Sequence, residues 1–342
     1  MSKQENRELP KSTTVLVAGA GPAGLAAARK LAAGGILDIV VVDSRRKIGT
    51  PVRCAELTRS TIWRDLGTKP RKDLYRRELR NPAGYVVDRA RMEAEGAMGL
   101  RAEGVKVFES ATVVGVGPYA GGHRSVTIAY QGGTHVIKTT CVIAADGIAS
   151  KTARFCGIPT LLPLEKIASA MAYRMTGIDM ADAGTAKVEY IDEMYPAYYW
   201  AFPTGEHEAN VGLVLPSLEG SQVKRMLDAW IAAQSFARRA SITETIVGMI
   251  PIARPLQKPY ADGVLVAGTA ARFVNPQNSE GIWYALKTGI VAAETFLVAE
   301  STREADLAVY VENLAPYYED LDARWDGDKV VRNKFGFGKQ QP

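Results

Sequence analysis

The chain has 342 residues, of which 47% are hydrophobic and 23% charged, with a net charge of +5, and this composition excludes a disordered protein and predicts a large core. Three cysteines without a C-x-x-C pair and three histidines predict neither a disulfide framework nor a metal site. The N-terminal segment lacks the apolar core of a signal peptide and no stretch approaches about 18 uncharged apolar residues, so we expect a cytoplasmic protein, peripheral at a membrane surface at most.

The first predicted element is a buried strand over 13–18, which is followed by a G-x-G-x-x-G turn and a helix over 25–33. Gly19 permits the tight turn, Gly21 lets the backbone approach a pyrophosphate, and Gly24 lets the helix pack closely on the strand. The free N–H groups at the helix N-terminus favour phosphate binding. This order of elements is typical of a dinucleotide-binding site.

The second predicted strand, over 36–42, ends at Asp43. In dinucleotide-binding folds, an acidic residue about 20 positions after the glycines accepts a ribose hydroxyl. We therefore expect Asp43 to bind the cofactor.

A basic segment follows, from Arg59 to Arg91, with ten lysines and arginines against four acids. A solvated charged face is the simplest explanation of such a run. Attraction to anionic headgroups or to a diphosphate substrate is the alternative. We do not expect a nucleic-acid partner, because no recognised binding module accompanies the charge.

A second signature, Ala145-Asp146-Gly147, follows a predicted strand over 141–145. A carboxylate beside a glycine at the end of a strand can approach the sugar-phosphate part of a cofactor. Ser150 can cap a short helix after it. We expect Asp146 and Gly147 to bind the cofactor, and an ordinary Asp-Gly turn is the alternative.

Aromatic residues alternate along a predicted strand that begins at Tyr198. Alternation places Tyr198, Trp200 and Phe202 on one face, where they form an aromatic wall that can line an apolar substrate pocket. A core strand packed against its own helices is the alternative. Neighbouring strands predicted over 185–190 and 210–215 indicate an antiparallel sheet.

A third signature begins at a predicted strand over 263–267, turns at Gly268 and ends at Gly281, which opens a predicted helix over 282–298. The positive end of that helix favours negative charge on a reduced flavin. Because the three signatures occur in a fixed order and one fold must bring them onto one large cofactor, we predict FAD.

Four stretches of the sequence resemble the geranylgeranyl reductase family, a branch of the para-hydroxybenzoate hydroxylase-like flavoproteins. They are Gly49-Thr50-Pro51-Val52-Arg53-Cys54-Ala55-Glu56, the spacing of Asp146 and Arg154, Tyr198-Tyr199-Trp200-Ala201-Phe202-Pro203, and Phe273-Val274-Asn275-Pro276 through Glu280-Gly281-Ile282. The resemblance covers most of the chain, from about residue 13 to residue 298.

The resemblance implies that Arg53, Cys54 and Ala55 lie against the flavin and that Arg89 reaches its phosphates. Thr269 stands where the family usually has an aspartate, so a hydroxyl replaces a carboxylate toward the ribityl chain. The full set of predicted cofactor contacts is Gly19, Gly21, Ala23, Gly24, Asp43, Arg53, Cys54, Ala55, Arg89, Asp146, Gly147, Gly268, Thr269, Gly281 and Ile282.

The reaction implied by the resemblance is reduction of a C=C bond in a prenyl chain or a related apolar substrate. Hydride from reduced FAD would reach one carbon while Cys54 or Tyr198 protonates the other, and Trp200 completes the predicted catalytic set. No second dinucleotide signature is present, so the reductant is expected to be transiently bound NAD(P)H or a ferredoxin-like carrier.

Two other hypotheses are compatible with the same motifs, since a fold does not fix a function. One is an FAD monooxygenase or oxidase that acts on a small aromatic substrate. The other is a non-catalytic, flavin-bearing or membrane-peripheral interaction protein. The sequence does not predict an oligomeric state.

The predicted fold class is α/β: a Rossmann-like FAD-binding domain, a substrate domain with a mixed or antiparallel sheet, and a short helical C-terminus. The FAD-binding domain is expected to comprise residues 1–75, 90–165 and 246–300. The substrate domain comprises 76–89 and 166–245. Residues 301–342 are expected to form a C-terminal helix, over 302–324, and a glycine-rich tail.

Overall fold

The computed structural model describes residues 8–216, 220–302 and 306–334. Its strands are β1 (Ser12–Ala18), β2 (Ile39–Val42), β3 (Leu57–Arg59), β4 (Tyr75–Arg80), β5 (Ala83–Val87), β6 (Lys106–Phe108), β7 (Thr112–Val116), β8 (Arg124–Tyr130), β9 (Gly133–Ala144), β10 (Ile167–Thr176), β11 (Lys187–Tyr190), β12 (Tyr198–Pro203), β13 (Glu208–Leu215), β14 (Ser241–Pro251), β15 (Tyr260–Ala261) and β16 (Val264–Val266). Its helices are α1 (Pro22–Ala33), α2 (Ile62–Asp65), α3 (Arg89–Ala102), α4 (Lys151–Phe155), α5 (Gly220–Ala232), α6 (Ile282–Thr302), α7 (Val309–Asn313) and α8 (Ala315–Lys334).

The first sheet has a parallel centre with the strand order β16-β9-β1-β2-β6. Strand β15 pairs antiparallel with β16, and the β7–β8 hairpin pairs with the first half of β9. Ala144 in β9 pairs with both Ala18 of β1 and Val266 of β16. The carboxyl ends of these three strands, which each lead into one of the predicted cofactor signatures, therefore lie side by side.

Helices α1 and α6 pack against each other beside this sheet. A Cβ atom added to Gly289 would lie 2.2 Å from the Ala23 carbonyl oxygen, so the two helix backbones touch there. Within the described residues, α6 is long and apolar enough to cross a membrane, yet 67% of its most apolar window is buried inside the protein. This burial is typical of a core helix.

The second sheet is antiparallel throughout, with the order β11-β12-β13-β10-β14, and α5 covers one of its faces. Tyr198, Trp200 and Phe202 of β12 pack in one hydrophobic cluster and Tyr199 packs against another, which confirms the predicted alternation of the aromatic residues. The expected domain boundary at 246 is wrong in one respect. Strand β14 continues to Pro251, which pairs with Ile167, because the ladder to β10 gives those residues their hydrogen-bond partners.

A third, three-stranded sheet has the order β3-β5-β4. The region over 76–89 therefore pairs with β3 rather than entering the large antiparallel sheet. It is joined to that sheet by backbone hydrogen bonds from Arg80 N–H to the Gly184 carbonyl and from Ala186 N–H to the Asn81 carbonyl, both 2.8 Å long.

The C-terminal part differs from the single helix expected over 302–324. Helix α6 continues to Thr302, and two separate helices, α7 and α8, follow. Tyr310 anchors α7, since its buried hydroxyl donates to the Val266 carbonyl over 3.0 Å. The predicted glycine-rich tail, 335–342, lies outside the described residues. The α/β class and the Rossmann-type arrangement are confirmed.

Candidate functional site

The three predicted cofactor signatures meet at one point of the structure. A Cβ atom on Gly19 would lie 2.4 Å from the carbonyl oxygen of Ala145, which joins the first signature to the second. A Cβ atom on Gly268 would lie 2.9 Å from the Ala23 Cβ, which joins the first to the third. Gly19 and Gly268 both have positive φ angles, of 102° and 65°, which glycine adopts without strain.

The glycine turn has the shape that a dinucleotide requires. A Cβ atom on Gly24 would lie 1.8 Å from the Gly19 carbonyl oxygen, so α1 approaches the turn as closely as predicted. At Gly21, in contrast, no atom of the described residues apart from its two chain neighbours lies within 4 Å of the added Cβ position. The turn is therefore closed on the protein side and open where a pyrophosphate would approach the start of α1, and these residues fit FAD.

Asp43 lies beside this turn, at the end of β2, and its carboxylate already has protein partners. Its oxygens accept from the Ala20 N–H over 2.7 Å and from the Arg45 N–H and Nε over 2.8 and 2.9 Å. The bonds from Arg45 and Ala20 outweigh burial and lower the pKa of Asp43. Its predicted ribose contact stays a prediction, and its observed role is to hold the turn.

Arg45 also donates to Glu93 over 2.6 Å, and the second oxygen of Glu93 accepts from Arg89 Nε over 2.6 Å. Arg89, predicted to reach flavin phosphates, is thus paired with a carboxylate on its own helix and lines the main cavity described below. The ion pairs Asp43–Arg45–Glu93–Arg89 connect the glycine turn to that cavity.

Asp146 is engaged by the helix that follows it. Its carboxylate accepts from the Thr152 N–H and hydroxyl over 3.0 and 2.9 Å and from the Ser150 hydroxyl. Ser150 caps α4, as predicted, by accepting from the Ala153 N–H over 3.0 Å. Asp146 and Gly147 lie near Gly19, and their cofactor contacts remain predictions.

A main cavity of about 590 Å³ lies between the cofactor signatures and the antiparallel sheet. Ten predicted site residues line it: Arg53, Cys54, Ala55, Arg89, Thr269, Gly281, Ile282, Tyr198, Trp200 and Phe202. The predicted flavin contacts and the predicted substrate wall therefore face one space. The other predicted contacts, Gly19, Gly21, Ala23, Gly24, Asp43, Asp146, Gly147 and Gly268, lie toward the glycine turn.

Hydrogen bonds tie the aromatic wall to the loops on the cofactor side. The Tyr198 hydroxyl donates to the Asn278 carbonyl over 2.7 Å. The Trp200 Nε1–H donates over 2.9 Å to Oδ1 of buried Asn210, whose Nδ2 lies 3.5 Å from the Cys54 carbonyl. Burial raises the pKa of Tyr198, which keeps its phenol neutral. The wall is thus fixed in position relative to Cys54.

Small residues occupy the sheet beside the aromatic wall. Across the ladder, Trp200 pairs with Gly212, Gly212 with Ala172, and Val214 with Ala170, which in turn pairs with Gly248. A Cβ atom on Gly212 would lie 2.2 Å from the Trp200 ring, so this ring lies flat over β13. The open part of the cavity therefore extends over β10 toward β14.

Glu56 also lines the main cavity. It ends one of the stretches that resemble the reductase family, but the sequence assigned it no role. Its side chain has no exposed area, and its φ angle of 70° lies in the left-handed region. Its N–H donates to Cys54 Sγ over 3.3 Å, and its carboxylate accepts from the Arg89 N–H over 3.0 Å and from Arg174 over 2.7 Å. Only its adjacency to Cys54 signalled a site in the sequence.

A second unpredicted group fixes the start of α6. Glu280 accepts from Arg59 Nε over 3.1 Å and from its terminal nitrogen over 2.6 Å. The Arg59 guanidinium lies 3.8 Å from the centroid of the Trp283 ring. These contacts place Gly281 and the first turn of α6 against β3.

The basic segment is largely paired with carboxylates from other parts of the chain. Most of its arginines make ion pairs of this kind: Arg59 with Glu280, Arg71 and Arg91 with Glu95, Arg80 with Asp182, and Arg89 with Glu93. The segment therefore supports the simpler interpretation of a charged, internally compensated face over that of a headgroup or diphosphate site.

The family model of the geranylgeranyl reductase catalytic domain matches residues 166–250. The digeranylgeranylglycerophospholipid reductase of Methanoculleus marisnigri is 33% identical over 339 residues, covering 92% of this chain and 82% of its own. The protein of the same name from Methanocaldococcus jannaschii is 32% identical, covering 84% and 78%.

Solved structures show the same fold. A geranylgeranyl bacteriochlorophyll reductase-like protein from Thermoplasma acidophilum has a TM-score of 0.87 at 24% identity, covering 95% of this chain and 88% of that one. A flavin-dependent halogenase has a TM-score of 0.71 at 19% identity, covering 92% and 63%. The relatives named as reductases do not favour the monooxygenase or oxidase hypothesis. The chain belongs to the geranylgeranyl reductase family and is an FAD-dependent oxidoreductase.

Proposed function

We propose that this protein reduces C=C bonds in the geranylgeranyl-type chains of a glycerophospholipid or a related prenyl lipid. The observation that carries the proposal is the main cavity, which is apolar, extends over small residues of β10 and β14, and begins at Cys54 beside the cofactor signatures. The names of the relatives, digeranylgeranylglycerophospholipid reductases, support the same substrate class.

Bound FAD in its reduced form would supply the hydride. The glycine turn and the start of α6 would hold that cofactor, while the apolar side chains that line the cavity would exclude water and hold the prenyl chain across the sheet. Trp200 and Phe202 limit the width of the cavity on one side. Ala170 and Ala172 leave room on the other.

Cys54 is the proposed proton donor to the second alkene carbon. It lines the cavity, and its Sγ lies 3.3 Å from the Glu56 N–H. Tyr198, the other predicted donor, already donates its hydroxyl proton to the Asn278 carbonyl and has a raised pKa. We therefore propose that Tyr198 shapes the cavity and positions the loop before α6.

Two partners remain proposals. The reductant is transiently bound NAD(P)H or a ferredoxin-like carrier. The lipid substrate implies peripheral contact with a bilayer, and two exposed apolar side chains at the β14 end of the cavity support this contact. Met249 lines the cavity, and Leu164 lies just before β10. The two segments are close there, because the Ile252 N–H donates to the Lys166 carbonyl.

Product analysis tests the proposal. FAD-loaded protein, reduced with dithionite, is incubated without oxygen with a geranylgeranyl glycerophospholipid, and the product is weighed by mass spectrometry. We expect the lipid to gain one hydrogen pair per reduced bond. In Cys54→Ala, we expect the rate of this gain to fall on the order of 10²-fold. An unchanged lipid mass would contradict the function, and a fully active Cys54→Ala variant would contradict the role of the thiol.

A further inference from the structure

A buried carboxyl group separates two cavities of different character. Glu56 lines the apolar main cavity. Its partners Arg76 and Arg174 line a second, polar cavity of about 380 Å³, whose other walls include Thr50, Glu208, Thr243 and Glu244. Glu56 therefore lies between the space that would hold the prenyl chain and a space lined by charged groups.

The polar side of this carboxyl leads outward through charged residues. Arg174 bonds Glu56 over 2.7 Å, and its Nε lies 2.8 Å from a Glu244 carboxylate oxygen. Glu244 is 46% exposed, whereas Glu56 has no exposed area. These contacts therefore connect the buried wall of the main cavity to solvent, through Glu56, Arg174 and Glu244.

The backbone at Glu56 is also unusual for its residue type. A glutamate with φ near 70° occupies the left-handed region, which non-glycine residues adopt only with backbone strain. The turn brings the Glu56 N–H back onto Cys54 Sγ while the carboxyl group points to Arg89 and Arg174. The geometry places the thiol and the carboxyl on one short loop.

We propose that Glu56 returns a proton to Cys54 after each alkene reduction, and that the polar cavity is the route by which water reprotonates Glu56. This inference rests on the proposed function. Glu56 is a residue that acts through Cys54, and an apolar cavity that excludes water needs such a supply because every reduced bond consumes one proton.

The steps balance. The S–H bond of Cys54 breaks as the new C–H bond forms at the carbon that does not receive hydride, and a thiolate remains. The O–H bond of Glu56 breaks to restore the thiol, and a proton from bulk solvent, passed on by water in the polar cavity, reprotonates the carboxylate. Reduced flavin supplies both electrons, so the proton route needs no other oxidant or reductant.

The charges around Glu56 suit a group that exchanges protons. Burial raises the pKa of Glu56, while Arg174, the Arg89 N–H and Arg76 act in the opposite direction and Asp88 adds a small increase. The groups that act on its carboxyl are Asp88 and Arg89 at the start of α3, Arg76 on β4 and Arg174 on β10, which also contacts Glu244 on β14. The Cys54 thiol lies two positions earlier on the same loop, where the backbone N–H of Glu56 donates to it.

The test is the Glu56→Gln variant in multiple-turnover assays with dithionite and geranylgeranyl lipid across pH. We expect one fast turnover, drawn from the Cys54 thiol, followed by turnovers slower on the order of 10²-fold and independent of pH. In the wild type, the later turnovers slow as pH rises through the raised pKa of Glu56, because its protonated form is lost. Glu56→Asp should restore part of the rate.

A matched control and a second readout separate this role from a structural one. Glu280→Gln changes another cavity-lining carboxylate held by an arginine, and it should affect first and later turnovers equally.

In flavin-free protein, the alkylation rate of Cys54 against pH should show a second inflection from Glu56, absent in Glu56→Gln. For the more exposed Glu244→Gln, the alkaline limb should move to lower pH, since Arg174 then acts on Glu56 alone.

The outcomes are distinct. If wild-type protein fails to reduce the lipid, the proposed function is wrong. If wild-type protein is active and Glu56→Gln shows wild-type later turnovers and pH dependence, the proton route is wrong. Equal slowing of the first and later turnovers in Glu56→Gln, with a normal alkylation profile, would assign Glu56 a structural role and also overturn the proposal.

Discussion

Gly212 decides where the aromatic wall lies. A Cβ atom there would come within 2.2 Å of the Trp200 ring and 2.7 Å of the Met171 carbonyl oxygen, and the backbone cannot yield without breaking the β10–β13 ladder. We expect Gly212→Ala to push the Trp200 ring into the cavity and to lower the free energy of unfolding by roughly 1–3 kcal/mol. Thermal unfolding and Trp fluorescence measure both effects.

The control is Gly220→Ala, because among the described residues no atom outside the backbone of its own helix lies within 4 Å of a Cβ atom at Gly220. A Gly212→Ala protein that unfolds at the wild-type temperature and keeps wild-type emission would contradict the flat position of the Trp200 ring.

At the residue scale, the sequence predicts the features that are determined by neighbouring residues in the chain. Gly19, Gly24 and the Ser150 cap depend on neighbours within a few positions, and the structure places them as expected. The role of Asn210 is different. It joins Trp200 to the Cys54 carbonyl, 156 positions away, so no local pattern reveals it. Glu56 was quoted beside Cys54, but its partner Arg174 comes from a distant strand.

Among the elements, α6 depends on an anchor that its own residues do not supply. Arg59 on β3 bonds Glu280 and stacks on Trp283, which fixes the first turn of the helix beside the cofactor signatures. In Arg59→Leu the carboxylate of Glu280 is left without this partner. We expect the FAD dissociation constant to rise by about tenfold, which corresponds to about 1.4 kcal/mol.

Titration of flavin-free protein with FAD, followed by flavin fluorescence, measures that constant. Arg80→Leu is the control, since it removes an exposed ion pair, with Asp182, far from the signatures. Equal affinities for FAD in the Arg59→Leu and wild-type proteins would show that the anchor does not position α6.

Strands with clear alternation or continuous apolar runs were predictable as elements, as β1, β12 and β13 show. The C-terminal helices were not resolved from each other, although Pro316 near the start of α8 is a helix-initiation signal. Strand β14 was not predicted as an element, and the expected domain boundary at 246 divides it. Val247 and Met249 are apolar although they are exposed, so the sequence of this strand shows no alternation of apolar and polar residues on which a boundary could be based.

Across the whole molecule, two of the most exposed apolar side chains lie close together in the sequence. Leu161 and Leu164, 65% and 68% exposed, lie on the segment before β10, near the end of β14 that lines the cavity. If the lipid enters there, Leu164→Glu should weaken binding to phosphatidylglycerol vesicles by about tenfold, because an apolar contact is replaced by a like charge. Vesicle sedimentation measures the bound fraction.

Met98→Glu is the matched control. Met98 is 63% exposed on α3, and its replacement by glutamate introduces the same change of charge. If both variants lose binding equally, the basic net charge of the protein, and not this surface, governs its contact with the bilayer.

Stopped-flow mixing of the anaerobically reduced, FAD-loaded protein with geranylgeranyl-bearing lipid tests directly whether reduced flavin reacts with the lipid. We predict that flavin absorbance returns without oxygen, at a rate that depends on lipid concentration, and that the lipid gains one hydrogen pair for each flavin reoxidised. Flavin that stays reduced until oxygen is admitted would contradict the account and favour a monooxygenase or oxidase.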